Sequence, residues 1–425
     1  MLICSLKQAA YYKPIIYTMR KLILLLFAIM PTIVLAQGFQ VNLHGQKQIG
    51  MGHTGTGLLQ DGASVLFNPG AISMLSENYI QAGVSPLLFK SDFNPSGTTD
   101  QFRTKNKVAT PFTAYAVWGP KDSRWKLGLG VYTPYGGLTD WGNEWAGKYV
   151  LESLNLKAIY IQPTVSVKLT DFLSVGAGFV YNHGTVDLTR AIPLTGQSGQ
   201  TGQAELKGNG HGFGWNAGVF LKTEVGLTVG LDYRSQVNTT VKNGDAIFNV
   251  PSSLKPNFPQ PNTFTTTLPL PSTTSIGLGY HPSDKWTLAV DVNFTNWDVY
   301  KALAFDYSKN TSVLQDTHSP RNYKDGWSYR GGAQYKANNK LFLRAGGGYA
   351  TTAVRDGYVT PEAPDANRYF LTGGLGYAVA KHLDLDVSFE YERVISRTQT
   401  NIESQLSGTF KTNVYIPGLS LAYHW

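Results

Sequence analysis

Val414-Tyr415-Ile416-Pro417-Gly418-Leu419-Ser420-Leu421-Ala422-Tyr423-His424-Trp425 ends the chain. Its odd positions are mostly large and apolar, its even positions mostly small or polar. Period-two alternation puts the two sets on opposite faces of a strand. An alternating last strand with a terminal aromatic is the pattern of a bacterial outer-membrane barrel. Such a strand cannot be left as an open edge in lipid, so the sheet must close on itself. The expected fold is therefore all-β, a transmembrane antiparallel β-barrel.

Other stretches repeat the pattern. Ile159, Ile161, Pro163, Val165, Val167 and Leu169 alternate with Tyr160, Gln162, Thr164, Ser166 and Lys168. Leu227, Val229, Leu231 and Tyr233 alternate with Thr228, Gly230, Asp232 and Arg234, and Trp286 to Thr295 does the same. A water-soluble sandwich would carry Lys and Glu on its polar face. Here that face holds Gly, Ser, Thr, Asn and scattered charges, which suits a lumen. After residue 36 no stretch is long and apolar enough for a membrane helix.

Connections alternate in length. Short ones fall at 120–123, 170–171, 223–226, 282–284, 337–339 and 380–382. Long ones cover about 91–107, 134–154, 190–206, 243–271, 307–325, 352–367 and 397–409. Six short turns interleaved with seven long loops predict fourteen strands, both ends lying on the short-turn side. Short periplasmic turns and long outer loops are the asymmetry of these barrels. Aromatics such as Trp118, Trp125, Trp286, Trp327 and Tyr423 crowd the strand ends, as headgroup-level girdles require.

Composition agrees. Of 425 residues only 15% are charged, with 45 Gly, 24 Tyr and 20 Phe. Soluble domains average about 25% charged. Residues 1–36 read as a signal peptide, with Met19 offering an alternative start. Met19-Arg20-Lys21 is basic, Leu22 to Leu35 apolar, and Val34-Leu35-Ala36 a small-residue cleavage site. The mature chain then begins at Gln37. Its bacterial destination is the cell outer membrane. Cys4 is the only cysteine and precedes that site, so the mature chain has no disulfide, thiolate metal site or cysteine nucleophile. Four of the positive charges behind the net +8 also precede it, leaving about +4 and no nucleic-acid patch. The eight histidines lack ligand spacing, and neither a metal nor a cofactor is expected.

Residues 37–76 are Gly-rich and do not alternate. They form either a periplasmic tail or a plug in the lumen. Low charge and apolar residues such as Phe39, Leu43, Ile49, Val65 and Ile72 favour the plug. Gly50-Met51-Gly52-His53-Thr54-Gly55 fits G-x-G-x-x-G, but a dinucleotide site needs a βαβ unit that the sequence does not offer. Tight turning inside the barrel explains the glycines instead. Asn68-Pro69 is a turn signal, with Pro fixing one dihedral and Asn tying its own backbone.

Several stretches, in order, resemble the FadL family, outer-membrane transporters of long-chain fatty acids and other hydrophobic compounds. They include Gly38-Phe39-Gln40, Asp61-Gly62-Ala63-Ser64, Phe67-Asn68-Pro69-Gly70 and Pro134-Tyr135-Gly136. Trp145-Ala146-Gly147-Lys148-Tyr149, Ile161-Gln162-Pro163, Asp232-Tyr233-Arg234-Ser235, Gly326-Trp327-Ser328-Tyr329-Arg330 and Pro364-Asp365-Ala366-Asn367-Arg368 continue the series. Family members carry Asn-Pro-Ala where this chain has Gly70, one methyl group fewer. The resemblance implies a fourteen-stranded barrel, an N-terminal hatch (37–76, with the barrel at 77–425) and hydrophobic ligands. Ligand would be captured by outer loops, held in an inner pocket and released sideways where the third strand kinks. That strand is placed at about 124–134, with Gly128 and Gly130 on its inward face as candidate kink positions.

Candidate ligand contacts follow. The loop at 243–271 carries Ile247, Phe248, Val250, Leu254, Phe258 and Phe264, either as a greasy entry groove or as loop-on-loop packing. Arg330, Arg344 and Arg368 face inward, with Asp384, Asp386, Glu390 and Glu392 near them. One arginine could bind a fatty carboxylate, or the set could brace the lumen as a network. Asn68, Pro69 and Gly70 are the hatch and gating candidates, alongside Gly128 and Gly130. Partners expected are a hydrophobic small molecule, outer-membrane lipid and, through the strand ending at Trp425, the barrel-assembly machinery, but no nucleic acid. The expected activity is passive uptake rather than catalysis. Alternatives are a hydrophilic porin, a receptor for an aromatic hydrocarbon or haem, and an outer-membrane lipase. No G-x-S-x-G motif supports the last.

Overall fold

The computed structural model describes residues 38–194 and 201–425. The signal peptide, the possible start at Met19 and the new terminus at Gln37 lie outside these residues. Fourteen antiparallel barrel strands follow one another around a single sheet. They are β1 (Tyr79–Val84 with Leu87–Pro95), β2 (Phe102–Arg103, Val108–Ala109 and Phe112–Trp118), β3 (Trp125–Asp140), β4 (Ser153–Lys168) and β5 (Leu173–Pro193). Next come β6 (Thr201–Lys222), β7 (Leu227–Arg234 with Val237–Asn249), β8 (Asn262–Leu270 with Thr273–Ser283) and β9 (Trp286–Thr295 with Ala302–Tyr307). The last five are β10 (Thr317–Pro320 with Gly326–Lys336), β11 (Leu341–Ala350), β12 (Arg368–Ala380), β13 (Leu383–Thr400) and β14 (Ser407–His424). β1 pairs with β14 from Tyr79/His424 onward, which closes the barrel and removes its edges.

Sequence alternation becomes inside and outside. In β4, Ile161, Pro163, Val165 and Val167 are exposed while Gln162, Thr164 and Ser166 are buried. The exposed set faces lipid. The expected strand number holds, but several expected loops are shorter than their sequence suggested. Strand pairing continues through Pro193, Asn249 and Thr400, and β3 runs on to Asp140. Beyond the membrane both strand faces are wet, so hydrophobic alternation fades while backbone pairing persists.

Residues 38–76 lie within the barrel. They carry a short helix α1 (Gln46–Gly50), a single turn α2 (Ser64–Phe67) and a 3-10 turn (Pro69–Met74). Their contacts go round the wall. Tyr115 Oη on β2 donates to His44 O at 2.8 Å, and Gln162 on β4 donates to Val65 O at 2.7 Å. On the far side Asp291 of β9 accepts from both Gly55 N and Thr56 N at 2.9 Å. Lys47 reaches Asp384 of β13 at 3.2 Å.

Wall glycines make this possible. A Cβ on Gly176, Gly218, Gly230, Gly277, Gly332 or Gly346 would collide with Met51–Gly52, Thr56–Gly57 or Asn68–Gly70. The high glycine content is thus partly a fit between wall and filling. Asn68 fixes the last of these turns. Its Nδ2 donates to Thr56 O and Val219 O, both at 3.0 Å, and its Oδ1 accepts from Gly70 N at 2.9 Å. Pro69 fits the first position of the turn, where no N–H is needed.

Candidate functional site

Going outward along β14, the inward residues change character. Ala422, Ser420 and Gly418 are small, with Gly418 lying against Gln46 of the inner segment, whereas Ile416 and Val414 are large and apolar. Leu43, Ile49, Val414 and Ile416 form one buried cluster, with Val41, Leu87 and Phe89 against it. All of these side chains except Ile49 line part of a cavity of about 610 Å³, within the size range of small-molecule sites. Phe39, Phe370 and Val394 add to its walls.

The cavity reaches the barrel wall where two strands part. The β2–β3 ladder runs from Trp118/Leu127 to Thr113/Tyr132 and stops. On the other side of β3 the register with β4 shifts between Tyr132 and Tyr135. Farther out, β2 residues turn to β1 instead, Leu88 facing Val108. Only at the top does Lys105 N donate to Asp140 O, at 2.7 Å. The edge of β3 so exposed is taken by the inner segment. Val41 N donates to Pro134 O at 2.8 Å and Gly136 N to Phe39 O at 3.1 Å, with a bridge between Gln40 and Tyr135. A backbone edge left bare beside lipid would cost several kcal/mol per group. Residues Val108 to Phe112 of β2, with Thr133 and Tyr135 to Thr139 of β3, line the cavity on this side.

This corrects where the third strand is irregular. Gly128 and Gly130 are regularly paired with Val117 and Tyr115 on β2, and with Thr164 and Gln162 on β4. Their missing side chains leave room for Val65 and Ile72 of the inner segment. The break falls at Thr133–Pro134, where proline cannot donate to a ladder.

Charge in the cavity is compensated internally. Arg368 binds Glu392 at 3.0 Å and Asp365 at 2.8 Å, and its Nε has no hydrogen-bond partner. Glu390 meets His53 Nε2 at 2.8 Å. Glu362 is held by Arg321 at 2.6 Å in the outer loops. Burial works against the Arg321 cation, but Glu362, Tyr300 and Tyr323 outweigh it and hold its guanidinium charged. Burial pushes the Tyr300 hydroxyl up to about 12.

The candidate arginines part company. Neither Arg330 nor Arg344 lines this cavity. Arg344 is buried against Asp386 at 2.6 Å and Gln334 at 2.7 Å. Arg330 donates to Asn42 Oδ1 at 3.1 Å and His53 O at 3.3 Å, and so holds the inner segment. Most of the loop candidates gather around a second cavity of about 920 Å³, lined by Ile247, Phe248, Val250 and Phe258. Leu254 packs half-buried against the same core. Phe248 and Phe258 rings lie 5.5 Å apart. Asn68, Pro69 and Gly70 sit at the other end, against β5 and β6.

The family model for outer membrane protein transport proteins (OMPP1/FadL/TodX) matches residues 27–425. The chain belongs to this family. A long-chain fatty acid transport protein of Salmonella typhi is 26% identical over 395 residues, covering 86% of this chain and 89% of its own. The 47 kDa outer membrane protein of Pasteurella multocida is 24% identical, over 92% of this chain and 94% of its own. A Pseudomonas aeruginosa FadL homologue superposes with a TM-score of 0.80 at 19% identity, covering 91% of this chain and 99% of its own. The P. putida toluene transporter TodX gives 0.69 at 16%, over 92% and 99%. These structures speak for the fold. This FadL/TodX-family barrel is thus an outer-membrane protein of a transport family.

Sequence reasoning missed the apolar cavity walls, Phe39, Val41, Phe89, Phe370, Val414 and Ile416. One signal was present. On β14 the inward positions Val414 and Ile416 are as large and apolar as the lipid-facing ones, which a merely wet lumen does not require.

Proposed function

We propose that the protein mediates passive uptake of long-chain fatty acids or similar hydrophobic molecules across the outer membrane, without covalent chemistry. Residues 37–76 act as a hatch after removal of the 1–36 signal peptide. The observation carrying this reading is the apolar cavity continuous with the unladdered stretch between β2 and β3. Ligand collects first on the loop surface of Ile247, Phe248, Val250, Leu254 and Phe258. It then enters the cavity, with its chain against Phe39, Val41, Leu43, Val414 and Ile416. Arg368 Nε supplies a donor for a polar head. Exit lies sideways past Val108–Phe112 and Thr133–Thr139 into the bilayer, drawn by transfer of apolar surface to lipid. Arg330 serves by holding the hatch to the wall, as do Asn68, Pro69 and Gly70, whereas Arg344 ties neighbouring wall strands together through Gln334 and Asp386. Gly128 and Gly130 give it room.

A second ligand class, an uncharged aromatic hydrocarbon, is favoured by one observation: Arg368 is already neutralised by Glu392 and Asp365. Binding of a fluorescent long-chain fatty acid to the detergent-solubilised mature protein separates the two. It is competed in turn by other fatty acids, alkanes, toluene and haem. Saturable binding displaced by acyl chains supports fatty acid uptake. Displacement by toluene alone moves the assignment to aromatics. No apolar binding, together with steady ion conductance in a planar bilayer, would leave a hydrophilic porin.

A further inference from the structure

At the opposite end of the barrel, three side chains that transport does not use meet beside the closing seam. Glu77 precedes β1, His382 lies in the turn between β12 and β13, and His424 ends β14. One donor atom from each lies within 4.8 Å of the others. His424 Nδ1 is 2.9 Å from Glu77 Oε2, and the two imidazole centres are 5.8 Å apart in a T-shaped arrangement. The backbone holds this grouping in place. His424 N donates to His382 O at 3.0 Å, while Asn78 N donates to Trp425 O at 3.0 Å and Trp425 N to Asn78 O at 3.2 Å.

An ion pair between Glu77 and His424 would not need the second imidazole. His382 Nδ1 is nevertheless buried there without a hydrogen-bond partner, an uncommon condition for a polar atom. Two imidazoles and a carboxylate are a donor set suited to a borderline cation, with a fourth tetrahedral position left for water. Asp384 completes the arrangement, 3.7 Å from His424 Nε2. That is the side on which an orienting carboxylate stands when Nδ1 carries the metal, though the separation here is longer than a hydrogen bond. Asp384 is itself held by Lys47 of the hatch.

We propose that Glu77, His382 and His424 bind one divalent transition-metal ion, Zn²⁺ being the reference case, which clips the closing strand to the neighbouring turn. A competing location exists on the outer face, where the His183 and His211 rings lie 5.5 Å apart. The experiment therefore uses tag-free, chelator-stripped full-length mature protein in detergent, titrated with Zn²⁺ alone by calorimetry and followed by thermal unfolding. One saturable Zn²⁺ per chain is expected, with a rise in unfolding temperature. His382→Asn and Glu77→Gln should each weaken binding by about tenfold or more, in the range for loss of a metal-site partner, and abolish the rise. His211→Asn should change neither. Circular dichroism and unboiled gel mobility report folding of each variant, and Glu77→Gln carries the test if His382→Asn does not fold. Absence of saturable binding, binding unchanged in both rim variants, or binding lost in His211→Asn would each overturn the site.

Discussion

Gly70 stands where the family resemblance implies alanine, and its surroundings say what the extra methyl would do. A Cβ there would lie 2.7 Å from Gly218 O on β6 and 3.0 Å from Asn68 Oδ1. The first is backbone and cannot swing aside. Gly70→Ala is therefore expected to destabilise the folded barrel by about 1–3 kcal/mol, the usual cost of overpacking. Thermal unfolding in detergent reads this directly, and a variant as stable as its parent would contradict the close contact. Asn68-Pro69 was legible as a turn because the signal is local. Its receiving strand was not, since Val219 lies 151 positions away and nothing in the turn names it. The luminal arginines show the same boundary. Inward placement followed from the cost of charge in lipid, but whether each meets a carboxylate, a carbonyl or the cavity depends on register across the whole sheet.

At the scale of elements, β3 is where reading and structure differ most usefully. Gly128 and Gly130 drew notice because glycine permits irregularity, yet their role is to admit Val65 and Ile72. The break came at Thr133–Pro134, the outer end of the stretch assigned to the third strand, where the expected loop begins. Strand and inner segment are joined there by backbone bonds. Removing residues 37–41 deletes Phe39 O and Val41 N, the partners of Gly136 N and Pro134 O. Amide exchange across Thr133–Thr139 should then accelerate while β6 and β13 stay protected, because local opening depends on local bonds. Unchanged protection in 133–139 would mean that the β3 edge is held by something other than the inner segment.

At the scale of the molecule, the outer face was readable because lipid imposes one rule on every strand: apolar outward, backbone paired, edges closed. That rule yields the strand number from turn lengths alone. The inner face obeys no such single rule. Part of it fits the inner segment with glycines, part binds it with Asp291, Gln162 and Asp384, and part is greasy around the cavity. Only the assembled barrel shows which strand does which. The inner segment touches walls on both sides of the lumen, so it both fills the pore and builds the cavity. Deleting 37–76 while keeping the signal and barrel should have two effects at once. Steady single-channel conductance should appear in planar bilayers where the full-length protein passes almost none, since the lumen left behind is wide and polar. Affinity for the proposed apolar ligand should fall by roughly tenfold or more, because Phe39, Val41 and Leu43 leave the cavity wall and the loss of only about 1.4 kcal/mol of apolar contact is already tenfold. Conductance without loss of binding would place the ligand on the outer loops instead. Loss of binding without conductance would mean that the loops, not the inner segment, close the pore.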